Sequence, residues 1–218
     1  MNIKIEWVYK AKNGAQVVFN SEHLPAAQAL MIVEDLMLTG RAKNIVLLDA
    51  YDSTWTVKEL KKYVKEIASE PQNITIYFDG GFQKNTRQAG LGYVVYFEQD
   101  GKQYRIRKNA FVEGLVSNND AEYAALHLSI STLEELNVHN STVHFKGDSQ
   151  VVIQQMAGEW PVYEKELAEW ADKVDARLAK LNIIPVYEHV SRKQNEEADR
   201  LATQALNGIA IDGKKELD

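Results

Sequence analysis

Four carboxylates stand at positions that can do chemistry: Asp79, Glu122, Asp148 and Asp199. Asp79 closes the run Ile74-Thr75-Ile76-Tyr77-Phe78 and precedes Gly80-Gly81, where bare backbone lets a ligand approach closely. Asp148 follows Val143-His144-Phe145-Lys146-Gly147 in the same way, and open α/β sheets bind ligands at the carboxyl ends of their strands. Glu122 falls in the first turn of one helical segment; Asp199 lies within another, beside Ala198 and Leu201-Ala202. Singly, each has an ordinary use as a turn residue, a helix-dipole partner or a solvated charge. Converging on one cleft, they would repel one another unless cations neutralised them. Oxygen ligands in a chain without cysteine point to Mg²⁺ or Mn²⁺, and such clusters commonly run two-metal phosphoryl transfer.

The elements that must position these groups follow from periodicity. Strands are expected at Ile74–Phe78, Tyr93–Phe97, Tyr104–Arg107, Val143–Lys146 and Ile183–Glu188, and helices at Asp120–Leu136, Ser149–Met156, Glu164–Leu181 and Asn195–Leu206. That order describes an α/β domain with a mixed sheet over residues 74–207, followed by a frayed tail, 208–218. Ser69-Glu70-Pro71-Gln72-Asn73 is polar and proline-marked, and places a boundary after a first domain, residues 1–70. There Ile3–Tyr9 and Gln16–Phe19 flank the hairpin signal Asn13-Gly14. Ala26–Leu38 reads as a helix, Ile45–Leu48 as a strand, and Thr56-Val57-Lys58-Glu59 as a capping box opening a second helix, in the order ββαβα.

Composition narrows the class. The 218 residues carry 31 acidic and 25 basic side chains, a net charge of −6, which argues mildly against nucleic-acid binding over the whole surface. No apolar run approaches the ~20 residues that span a bilayer, and charge interrupts the first residues, so no membrane association and a cytoplasmic location are expected.

With the motifs in view, residues 74–207 resemble the type 1 ribonuclease H family. The resemblance rests on Tyr77-Phe78-Asp79-Gly80-Gly81, Asn118-Asn119-Asp120-Ala121-Glu122, Gly147-Asp148-Ser149-Gln150, and His189 with Asn195 and Asp199, in family order. Asn85 lies six residues after Asp79; His189 and Asn195 precede Asp199 by ten and four. The resemblance implies a five-stranded mixed sheet with helices on both faces, and an endoribonuclease cutting the RNA strand of RNA–DNA hybrids. It implies that Asp79, Glu122, Asp148 and Asp199 hold two Mg²⁺, with Asp79 bridging them, and that products carry 5′-phosphate and 3′-hydroxyl ends. His189 would be a mobile loop histidine aiding proton transfer or product release. By family position the Gly80 backbone, Asn118 and Gln150 would meet the RNA 2′-hydroxyls, Asn85 and Asn119 the DNA strand, and Asn195 is also assigned to substrate. Ser117 occupies the place of a phosphate-binding threonine and equally suits a helix N-cap.

Three segments depart from the family. The loop from Phe82 to Gly90 lacks Gly-Asn-Pro-Gly. Residues 158–180 are short and acidic where the family often carries a basic protrusion. Ser191-Arg192-Lys193-Gln194 replaces a glycine-bearing loop. Between Phe82 and Lys108 the excess of Lys84, Arg87, Lys102, Arg105, Arg107 and Lys108 can meet phosphates or form a solvated strand face. The first domain resembles the small hybrid-binding domain of some ribonucleases H in element order only. Trp7, Tyr9 and Trp55 there can stack on nucleic acid or pack internally, and a protein partner or self-association through residues 1–70 is the competing use. For the whole chain, the alternative to an enzyme is a nucleic-acid-binding protein of this fold with little turnover.

Overall fold

The computed structural model describes residues 1–217, and the chain divides into two compact units, Met1–Ser69 and a second beginning at Glu70. Unit 1 contains β1 (Asn2–Lys10), β2 (Gln16–Asn20), β3 (Leu24–Pro25), α1 (Ala26–Thr39), β4 (Ala42–Asp49), β5 (Thr54–Trp55) and α2 (Val57–Ser69). Its sheet runs β2-β1-β4-β5, with β3 also on β1, so two strands of two residues each join the expected ββαβα order. Gly14 takes φ +87° at the β1–β2 turn, a conformation that costs glycine little. Thr56 and Glu59 form the capping box: Thr56 Oγ1 accepts from the Glu59 N–H at 3.2 Å, and Glu59 Oε2 accepts from the Thr56 N–H at 2.8 Å. Ile3 and Ile5 alternate inward from β1 and meet Ala29, Leu30 and Val33 of α1 and Leu60 of α2.

Unit 2 follows with β6 (Gln72–Gln83), β7 (Gln88–Gln99), β8 (Lys102–Glu113), α3 (Asn118–Glu135), β9 (Thr142–Gly147), α4 (Gln150–Met156), α5 (Lys165–Lys180), β10 (Ile184–His189), α6 (Glu196–Leu206) and β11 (Asp212–Leu217). The strand order is β10-β9-β6-β7-β8-β11. β9 pairs parallel to β6 and to β10, while β6, β7, β8 and β11 pair antiparallel in succession. The sheet is therefore mixed, as expected, but it has six strands rather than five. Most of the segment read as a frayed tail supplies the sixth; Asp218 lies outside the described residues.

Partners on β8 and α6 account for β11. Asn109 donates through Nδ2 to the carbonyls of Leu201 and Ile209, each at 2.9 Å, and its Oδ1 accepts from the Ile211 N–H at 2.7 Å. Lys102 pairs with Glu216 at 2.9 Å, and Lys214 Nζ lies 4.4 Å from the Tyr104 ring centroid and 5.0 Å from that of Phe97.

Two glycine positions set how the helices meet the sheet. A Cβ on Gly80 would stand 2.2 Å from the Ala121 carbonyl carbon of α3, and one on Gly92 would stand 2.4 Å from the Ala198 carbonyl oxygen of α6. Gly92 is the register partner of Asp79, whose neighbour is Gly80. Because side chains alternate along a strand, α3 and α6 press on opposite faces. The Asp79 carboxylate thus emerges on the α6 face, while Glu122 arrives on α3 beside Gly80.

Gly92→Ala should destabilise the protein by about 1–3 kcal/mol, because its methyl meets backbone rather than a flexible side chain. Urea unfolding checks this; an unchanged midpoint would show that α6 can move away from β7 freely.

Candidate metal centre

Strand ends and one helix bring the acidic groups together. Asp79, on β6, and Asp148, one residue beyond β9, come from neighbouring parallel strands, and Glu122 lies in the first turns of α3. One ligand oxygen from each of Asp79, Glu122 and Asp148 lies within 4.8 Å of the others. Asp79 is 8% exposed and Glu122 4%, so two of the three negative groups have lost nearly all their water.

The consequence is electrostatic. Burial first, then the negative charges of Asp148 and Asp199, raise the Asp79 pKa to about 7. Burial and then the charges of Asp79 and Asp148 hold Glu122 well above the ordinary carboxylate range, opposed by a hydrogen bond from the Gly80 backbone N–H. Glu122 Oε2 is buried without a hydrogen-bond partner among the described residues. Three hard oxygen donors, with one buried oxygen unpartnered, fit a divalent cation.

Asp199 does not join this trio. Its Oδ1 accepts from Arg192 Nη2 at 3.0 Å, and its side chain is 36% exposed. Sequence reasoning gave no role to Arg192. The pair spans seven residues from loop to helix, and no helical spacing signals it.

Asn195, expected at the substrate, is 1% exposed. Its Nδ2 donates to the Phe78 carbonyl at 2.9 Å and to Asp148 Oδ1 at 3.0 Å. That makes it a positioning residue: it ties α6 to the backbone before Asp79 and to the Asp148 carboxylate. Gly80 is likewise enclosed, with α3 against its backbone and its N–H on Glu122. His189 is the last residue of β10 rather than part of a loop; it is exposed, and its Nε2–H donates to the Asp148 carbonyl at 3.2 Å.

Ser117 caps α3, its Oγ accepting from the Asp120 N–H at 3.1 Å. Asn118 is exposed and Asn119 half-buried on the first turn of α3; Gln150 is exposed at the start of α4, and Asn85 is exposed in the β6–β7 turn. The basic excess is largely committed to internal pairs. Arg105 meets Glu197 at 3.0 Å, Lys108 meets Glu135 at 2.6 Å, and Lys102 is on Glu216. Trp170 packs on His127 with ring centroids 5.5 Å apart, whereas Trp160 is exposed. A cleft of about 510 Å³, lined by Tyr77, Tyr96, Lys146 and Asn195 among others, includes none of the four carboxylates.

A mixed sheet of this topology with an acidic centre at its strand ends defines a fold of the ribonuclease H type. The chain belongs to the ribonuclease H family: a family model described as "Reverse transcriptase-like" matches residues 77–205. Along its whole length it is 41% identical to the uncharacterized protein YpeP of Bacillus subtilis, covering 94% of that protein. It is 31% identical over 145 residues to the bifunctional protein Rv2228c of Mycobacterium tuberculosis, covering 66% of this chain but only 38% of that one. The solved N-terminal RNase H domain of Rv2228c superposes with a TM-score of 0.54 at 29% identity, over 62% of this chain and 94% of the domain. LC11-RNase H1, isolated from compost and solved in complex with an RNA/DNA hybrid, gives a TM-score of 0.55 at 28% identity, over 62% of this chain and 98% of that one.

The raised Asp79 pKa has a definite sign. The folded value of about 7 lies above the ~3.9 of an unfolded aspartate, so the native state binds this proton more tightly than the unfolded chain. The stability it contributes is complete below about pH 4 and is lost as pH rises through 7. In EDTA, the parent should therefore lose more stability between pH 5 and pH 8 than Asp79→Asn, and the variant should melt higher at pH 8. Thermal denaturation at the two pH values checks this; parallel losses would remove Asp79 as the source.

Proposed function

We propose that the protein is a metal-dependent endoribonuclease that hydrolyses the RNA strand of RNA–DNA hybrids, leaving 5′-phosphate and 3′-hydroxyl ends. The observation that carries the reading is the convergence of Asp79, Glu122 and Asp148 within a chain of the ribonuclease H family. Magnesium or manganese held there, with Asp199 as a further ligand, would neutralise charge on the scissile phosphate and lower the pKa of the attacking water. By the resemblance to the family, Asp79 would be the ligand common to both ions. Asn195 holds the Asp148 carboxylate, and the Gly80 N–H fixes Glu122, so both arrive oriented. His189 donates through Nε2 to the Asp148 carbonyl, which leaves Nδ1 as an acceptor at the exposed rim.

Substrate contacts are assigned by family position, the exposed Asn118 and Gln150 towards RNA, the half-buried Asn119 and the exposed Asn85 towards DNA. The complex of LC11-RNase H1 with an RNA/DNA hybrid supports the same substrate class. Only the RNA strand offers 2′-hydroxyls to such groups.

Labelled hybrid, RNA duplex and DNA duplex incubated with Mg²⁺ or Mn²⁺ and resolved on gels test the reading. Cleavage is expected in the RNA strand of the hybrid alone. Asp79→Asn should reduce it by several orders of magnitude with the fold retained; activity within tenfold of the parent would sink the mechanism. His189→Ala should slow turnover by at most ~10²–10⁴-fold, because water partly replaces a proton carrier. Hybrid binding without any cleavage by the parent would establish the alternative, a binding protein of this fold.

For unit 1 we assign association with a protein or with a second copy. Acidic and basic residues balance over positions 1–70. The aromatic groups face one another: Trp7 stacks on Phe19 at 5.6 Å, and Trp55 packs edgewise on Tyr63 while donating to Asp49. Val18 is 74% exposed on strand β2 and Leu38 86% exposed near the end of α1. Deleting residues 1–69 should change the mass in solution and leave the salt dependence of hybrid binding unaltered. A slope lowered by ~0.7–0.9 per lost phosphate contact would instead make unit 1 a hybrid-binding domain.

A further inference from the structure

The segment between His189 and Asn195 is a tight turn with a cation at its tip. Gln194 Oε1 accepts from the Ser191 N–H at 3.0 Å and from Ser191 Oγ at 2.8 Å, and the Asn195 N–H donates to the carbonyls of Ser191 and Arg192. The backbone of Arg192 is thereby held, while its side chain is 80% exposed. From this fixed base the guanidinium reaches Asp199 Oδ1 at 3.0 Å. Asp199 is the carboxylate missing from the group whose ligand oxygens converge within 4.8 Å. An arginine cannot give up its charge at any ordinary pH, so it competes with a metal for this ligand wherever it can reach it.

We infer that Arg192 is a built-in counter-ion for Asp199, so that the acidic centre fills in two unequal steps. Asp79, Glu122 and Asp148 take a first divalent cation without disturbing the turn. Asp199 becomes a ligand for a second only when the guanidinium releases it. The competition is modest, because the pair is solvent-exposed and such pairs are individually weak. Arg192 is thus a positioning residue that sets the metal concentration at which the centre is complete. The inference rests on the metal-dependent reading of the site.

The test is a Mn²⁺ titration of the full chain without nucleic acid, followed by calorimetry and by water proton relaxation. Arg192→Ala should tighten the weaker ion by about two- to fivefold, the range that an exposed ion pair allows, and leave the tighter ion unchanged. In an Asp199→Asn background the same substitution should have no effect. Hybrid cleavage by Arg192→Ala should reach half its maximum at a Mn²⁺ concentration lower by the same factor. An unchanged or weakened second ion, equal tightening of both ions, or an effect persisting in Asp199→Asn would each overturn the assignment. Failure of the parent to cleave hybrid would defeat the proposed activity, while the binding isotherms would still decide the role of Arg192.

Discussion

Three carboxylates brought within 4.8 Å of one another, two of them stripped of water, are the constraint around which unit 2 is arranged. Left alone, such groups separate or take up protons. Here the sheet forbids separation. Asp79 and Asp148 are carried on adjacent parallel strands, and Gly80 lets α3 approach until Glu122 stands beside them. Burial first, and then the mutual repulsion of these charges, displaces the Asp79 and Glu122 pKa values upward. The packing of strands and helix thus supplies three oxygen donors already held in place.

Helix α6 is the brace that keeps this arrangement closed. Its N-terminus does two jobs through side chains two residues apart. Asn195, at its N-cap, reaches inward to Asp148 and to the β6 backbone. Glu197 faces the sheet, where it accepts from Tyr96 at 2.7 Å and meets Arg105 at 3.0 Å and Arg107 at 3.8 Å. Burial and the hydrogen bond to Glu197 push the Tyr96 hydroxyl up to about 12, so it remains a donor across the working range. Basic residues that read as phosphate contacts in the sequence are thus spent on fastening α6 and β11 to the sheet.

What could be read from the sequence was local, and what could not was tertiary. Asp79 and Asp148 were legible because an acidic residue after an apolar strand and beside glycine has few structural reasons to be there. The Thr56–Glu59 capping box was legible because all its bonds lie within three residues. Strand β11 was not, since Asp-Gly-Lys-Lys-Glu-Leu lacks β-branched residues; its order comes from Asn109 and from rings on other strands. Asn195 was found by its spacing but misread in direction, because only the fold shows which way its amide points. Asp199 was singled out by the resemblance to the family, and its pairing with Arg192 depends on a turn that spacing does not reveal.

The hydrogen bond from Asn195 to the Phe78 carbonyl joins residues 117 apart in sequence, and the one to Asp148 joins residues 47 apart. Contacts that close loops of this length form late, because chain entropy must be overcome before they yield anything. The hairpins of β6, β7 and β8 can assemble from local pairings, but the acidic centre waits for β9 to cross over, and the Asp148 carboxylate is fixed only when Asn195 has docked. A partly folded molecule would accordingly have most of its sheet and no organised acidic centre.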